Sequence, residues 1–110
     1  MGLFSREKGK RGEREFCSLC REQGYDVHRT SQCRGDTGEA GDVEGLPGIH
    51  AEVKRTERLN LYDAIAQSVR DAEAEGHGNI PIVASKKSRC GWLITMRAED
   101  FFKLYREYRL

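Results

Sequence analysis

Asp42-Val43-Glu44-Gly45-Leu46-Pro47-Gly48-Ile49-His50-Ala51-Glu52-Val53-Lys54 is the stretch that decides the fold. Leu46-Pro47-Gly48 supplies turn chemistry and 49–54 alternates apolar with polar residues, which predicts two short strands joined by a turn. Side chains two apart on a strand share a face, so Glu52 stands beside Lys54 while Ala51 and Val53 turn toward a core. Asp42 opens the partner strand, from which it comes alongside Glu52. Two carboxylates and an ammonium then share one patch. Paired hard oxygens hold Mg²⁺ while leaving positions for water and a phosphate oxygen. A lysine beside them steadies the charge that builds on phosphorus. Read alone, Glu-x-Lys is weak evidence, because a same-face ion pair on an exposed strand gives the same pattern and a chain rich in Glu, Lys and Arg offers many such pairs.

Around that hairpin lies a chain of 110 residues, enough for one small domain with a modest core. Charged residues make up 34% and hydrophobic ones 37%, and no apolar run approaches the ~20 residues that span a bilayer. The opening residues are basic rather than apolar, so no secretory signal is expected and the chain reads as cytoplasmic. A net charge of +1 hides local asymmetry. Lys8, Lys10 and Arg11 stand near the start, and Lys86, Lys87 and Arg89 form a second basic segment. Such segments suit a phosphate-facing surface, or else a solvated face and a blunted sheet edge. Cys17 and Cys20 have C-x-x-C spacing, but Cys33 and Cys90 stand singly, which favours reduced structural cysteines over a zinc site.

Periodicity predicts a first helix over 8–23, after a flexible 1–7, with Phe16, Leu19 and Cys20 on its buried face and Gly24 as its stop. A strand over 25–31 follows, then a glycine-rich loop over 32–41 of the kind that closes on ligands. A second helix over 59–75 buries Tyr62, Ile65, Val69 and Ala72. Strands over 80–85 and 91–96 come next, and a closing helix over 97–108 turns Phe101, Leu104, Tyr105 and Tyr108 inward. His28, His50 and His77, scattered singly, read as structural or solvated, and Trp92 as packing.

Three features coincide: Lys8-Gly9-x-x-x-Glu13-Arg14-Glu15-Phe16 on the first helix, Asp42 on a strand, and Glu52-Val53-Lys54 on the next. This ordered set resembles the PD-(D/E)xK nuclease superfamily, and its opening motif looks like that of archaeal-type and phage Holliday junction resolvases. The resemblance implies an α/β fold: a single-domain αβββαβ restriction-endonuclease-like core, with a mixed central sheet, an extra strand and a C-terminal helix. It implies catalytic roles for Glu13, Asp42, Glu52 and Lys54. It also implies a Mg²⁺ or Mn²⁺ site built from Asp42, Glu52 and the Val53 carbonyl, with Glu13 positioning a second ion or a water. Arg29, Ser31 and Arg34 join the basic segments as DNA contacts, and Gln67 is an accessory residue. The loop over 32–41 is longer than such resolvases carry, which bears on the DNA shape recognised more than on the chemistry.

The implied activity is metal-dependent hydrolysis of DNA phosphodiesters in a bacterial or phage-infected cell, with four-way junctions as the first candidate substrate. A junction is roughly two-fold symmetric, so paired cuts call for a homodimer. Adjacent Phe101 and Phe102 cannot both face one core, which leaves apolar surface for a partner chain. Two other readings stand beside this one: a general nuclease of the superfamily acting on flaps, ends or duplex DNA, and a catalytically silent DNA- or zinc-binding module. Convergence of Glu13, Asp42, Glu52 and Lys54 on one spot separates an enzyme from the silent module.

Overall fold

The structure is a computed structural model that describes residues 3–30 and 41–110, with side chains from Gly9 onward. Ser31, Cys33, Arg34 and most of the glycine-rich loop, with Asp36 and Glu39 as the carboxylates that rival Asp42 as ligand, therefore lie outside the described residues, as does the Lys8 side chain. The element order is α1 (Leu3–Glu22), β1 (His28–Arg29), β2 (Val43–Glu44), β3 (Ile49–Arg55), α2 (Leu61–Glu75), β4 (Ile80–Lys86), β5 (Leu93–Met96) and α3 (Ala98–Tyr108). This is the α-β-β-β-α-β-β-α order that the sequence predicts. The first helix begins earlier than 8, and β1 is shorter than the strand expected over 25–31.

Five strands form one mixed sheet in the order β1-β2-β3-β4-β5. β3 and β4 run parallel, with Ala51 beside Ile82 and Val53 beside Ala84, and every other neighbouring pair is antiparallel. A parallel pair requires a crossover, and α2 provides it. Asn60 caps the start of α2 by accepting from the Asp63 N–H, and Gly76, left-handed at φ 73°, ends it.

The alternation of β3 divides the molecule. Ala51 and Val53 pack with Phe16, Cys17 and Cys20 of α1, together with Val27, Val43, Ile82 and Ala84. Each such side chain fully buried is worth about 1.5–3 kcal/mol if it is the size of valine or larger. Both cysteines of the C-x-x-C pair are free and sit in this core. Trp92 closes one side, its ring 5.3 Å from that of Phe16. Gly12 allows α1 to approach β3: a Cβ there would stand 2.5 Å from Arg55 Cβ. His50, Glu52 and Lys54 alternate to the opposite face, where α2 lies.

Of the buried stripe expected on α2 only Ala72 holds, and the one expected on α3 fails. The buried side of α2 is Ala64, Ser68 and Ala72, whereas Tyr62 is 89% exposed and Ile65 and Val69 are only half-buried. Small residues and the Ser68 hydroxyl, which donates to the Ile82 carbonyl at 2.9 Å, let the helix sit close on β4. On α3, Phe101, Leu104, Tyr105 and Tyr108 do not face inward; Asp100 alone is buried, and the aromatics lie on solvent. The reason is that β5, which precedes α3, is the edge of the sheet, so no strand remains for α3 to cover.

Candidate active site

The β2–β3 hairpin brings the two carboxylates together. Val43 pairs with Ala51 in an antiparallel ladder, which sets Asp42 opposite Glu52 on the same face. The Asp42 N–H donates to the Ala51 carbonyl at 2.9 Å, and the Val53 N–H donates to Asp42 Oδ2 at 2.8 Å. Asp42 is therefore held by the backbone of the Glu52-Val53-Lys54 triplet itself. Glu52 is 5% exposed. Lys54, two residues on, donates from Nζ to Gln67 Oε1 of α2 at 3.2 Å. Gln67, the accessory residue that the resemblance implies, is thus the side chain that meets the ammonium.

Glu13 reaches the same neighbourhood from α1. Its Oε1 accepts from Arg29 Nε at 2.9 Å. Burial, then the neighbouring Glu52 carboxylate, pushes the Asp42 carboxyl up to about 7. The Val53 N–H and Lys54 act in the other direction, and Glu13 adds to the rise. Asp42 and Glu52 set hard oxygens side by side, with Glu13 and Lys54 near enough to shift the Asp42 carboxyl, and paired carboxylate oxygens suit a divalent cation. Asp42, Glu52 and the Val53 carbonyl fit such an ion by donor type, with Glu13 beside them.

The basic residues divide. Lys10 and Arg11 are exposed on α1, and Lys87 and Arg89 are exposed after β4, with Lys86 half-buried at its end. Arg29 differs from these surface bases: it is buried and engaged by Glu13, so its guanidinium serves the interior of the site rather than an open phosphate-facing surface.

Two site residues escape the sequence reading. His50 is 1% exposed and stands between two carboxylates, with Nε2 2.7 Å from Glu52 Oε2 and Nδ1 2.8 Å from Glu75 Oε2. The second contact is at ion-pair distance but falls short of hydrogen-bond direction. Burial alone lowers the basicity of the ring, yet Glu52 and Glu75 outweigh it and lift His50 to about 8. His50, Glu52 and Asp71 also offer donor atoms within 4.8 Å of one another. The signal for His50 was available, because it precedes Glu52 by two on one strand; Glu75, the last residue of α2, gave none.

A five-stranded mixed sheet of this order, flanked by α1 and α2, with Asp42 facing Glu52-x-Lys54, is the PD-(D/E)xK nuclease fold. The chain is similar to the structure of Hjc, a Holliday junction resolvase from the archaeal hyperthermophile Archaeoglobus fulgidus. The two share 25% identity and a TM-score of 0.58, over 81% of this chain and 72% of that one. No family model and no curated protein matches the sequence. The similarity supports a nuclease of that fold. No helix among the described residues is long and apolar enough to cross a membrane.

Proposed function

We propose that the protein is a Mg²⁺- or Mn²⁺-dependent endodeoxyribonuclease that cuts branched DNA, with the four-way junction as its substrate. The observation that carries this reading is the placement of Asp42 opposite Glu52, with Lys54 next on the same face. Asp42, Glu52 and the Val53 carbonyl hold the cation, which when bound neutralises charge on the scissile phosphate. Lys54, aimed by Gln67, stabilises the negative charge that grows on the phosphate oxygens. Glu13, fixed by Arg29, orients the attacking water for in-line displacement. The likeness to a junction resolvase supports the choice of DNA shape.

The test is cleavage of a four-way junction beside duplex, flap and single-stranded DNA, with Mg²⁺ and with EDTA. Junction cleavage that requires the metal is expected. Equal rates on flap or duplex would shift the assignment to a general nuclease, and no cleavage of any of them would defeat it.

DNA affinity should come from Lys10, Arg11, Lys86, Lys87 and Arg89, and fall steeply with salt as counterions are released. Converting Lys86 and Lys87 together to alanine is expected to flatten the log–log salt slope by roughly two. An unchanged slope places the DNA on another surface.

The assembly we propose is a homodimer. Leu93 and Ile94 on the edge strand are 66% and 48% exposed. On α3 the Phe101 ring stacks on Tyr105 at 5.8 Å, and Phe101 and Phe102 are about half exposed. An exposed edge beside an aromatic helix face is an aggregation liability unless a partner covers it. A two-fold partner would also present two sites to one junction. Sedimentation at micromolar concentration should give a dimer, and Phe101→Ser with Tyr105→Ser should give a folded monomer that nicks one strand. Paired cuts by a monomer would refute this arrangement.

A further inference from the structure

Glu75 occupies a place that needs explaining. It ends α2, where the unsatisfied carbonyls already carry partial negative charge and the last turn holds no basic residue. Its side chain is nevertheless only 4% exposed. A carboxylate buried there costs stability unless it has partners.

Its partners are the two segments that carry the proposed metal ligands. Glu75 Oε2 accepts from the Gly41 N–H at 3.1 Å, and the same oxygen lies 2.8 Å from His50 Nδ1. Gly41 immediately precedes Asp42, and the other nitrogen of His50 meets Glu52 Oε2 at 2.7 Å. Gly41 itself rests on the imidazole. At φ +61° it takes the left-handed conformation, and a Cβ there would stand 2.6 Å from the Ala51 carbonyl oxygen and 3.1 Å from His50 Cε1. One carboxylate on α2 thereby touches the backbone leading into Asp42 and, through one ring, the carboxylate of Glu52. With Oε2 of Glu52 engaged by His50, Oε1 is left for a cation.

Resting on the metal reading of Asp42 and Glu52, we propose that Glu75 and His50 are positioning residues: a clamp that holds both cation-binding carboxylates in register. Ligand carboxylates that are themselves hydrogen-bonded keep their orientation before the ion arrives, and loss of such supports costs roughly 10–100-fold in metal affinity. Glu75 acts on Asp42 through the Gly41 peptide and on Glu52 through the imidazole, so its removal loosens both ligands at once.

The test uses the full chain and Mn²⁺ alone, titrated by electron paramagnetic resonance, with thermal unfolding and junction binding measured in EDTA. Glu75→Ala is expected to weaken Mn²⁺ binding by about 10–100-fold while junction affinity in EDTA holds. Glu75→Gln still offers an oxygen to the Gly41 N–H, and is expected to fall between alanine and wild type. His50→Gln should weaken Mn²⁺ as Glu75→Ala does. If Glu75→Ala does not fold, the isosteric Glu75→Gln decides the matter. Wild-type Mn²⁺ affinity in the folded Glu75 and His50 variants, with Glu52→Gln defective, overturns the clamp and leaves the metal reading standing. Wild-type affinity in Asp42→Asn and Glu52→Gln as well overturns both.

Discussion

Glu52→Gln is expected to lower junction cleavage by about 10²–10³-fold or more, with DNA affinity in EDTA within about twofold of wild type. The substitution keeps the size of the side chain and removes its charge. Glu52 is buried and lies opposite Asp42, so the amide removes one of the two facing carboxylates that would hold the cation on the proposed reading. Binding is expected to survive because the proposed DNA contacts are the exposed lysines and arginines of α1 and of the segment after β4. Single-turnover cleavage with Mg²⁺ in excess, alongside fluorescence anisotropy without metal, separates the two effects. Full cleavage by the Gln variant would remove Glu52 from the chemistry.

The second large effect concerns stability rather than rate. The Asp42 carboxyl titrates at about 7 in the fold against 3.8 ordinarily, raised by burial and then by Glu52. Between those two values the native state holds a proton that the unfolded chain has released. Stability of the metal-free protein therefore falls as pH rises from about 4 through 7. His50 has the same sign: lifted from 6.5 to about 8, it contributes stability that is complete below 6.5 and is lost as pH rises through 8. Asp42→Asn cancels the first component and spares the second. It is expected to stabilise the metal-free protein at pH 8 by on the order of 2 kcal/mol, several degrees in Tm. At pH 4 it should do little. Mg²⁺ should raise the Tm of the wild type at pH 8 and not that of the variant. A variant no more stable than wild type at pH 8 would show that the two carboxylates do not strain the fold.

Strand alternation made the centre of the site legible. Glu52 and Lys54 on one face, and Ala51 and Val53 on the other, follow from period two, and the Leu46-Pro47-Gly48 turn returns Asp42 to Glu52. The order of elements was legible for the same reason, since the hydrophobic period changes from 3.6 to 2 and back along the chain. Gln67 meets Lys54 because the helix after Glu-x-Lys crosses back over β3 to reach a parallel β4, and it passes Lys54 on the way.

What failed depended on contacts between distant segments. The apolar stripes of α2 and α3 promised buried Tyr62, Phe101 and Tyr105, but a stripe says only that a helix has a face, not that the domain has a surface left to receive it. α3 follows an edge strand and finds none. Arg29, expected among the DNA contacts, is buried and held by Glu13, sixteen residues earlier on another element. The sequence by itself determined which residues share a face and in what order the elements come, because those are properties of local backbone period. Only the tertiary structure decided that Glu75 meets Gly41, 34 residues away, and that His50 lies between Glu75 and Glu52. Such encounters are set by how closely Ala64, Ser68 and Ala72 let α2 settle on the sheet, and close packing between elements leaves no periodic trace in either segment.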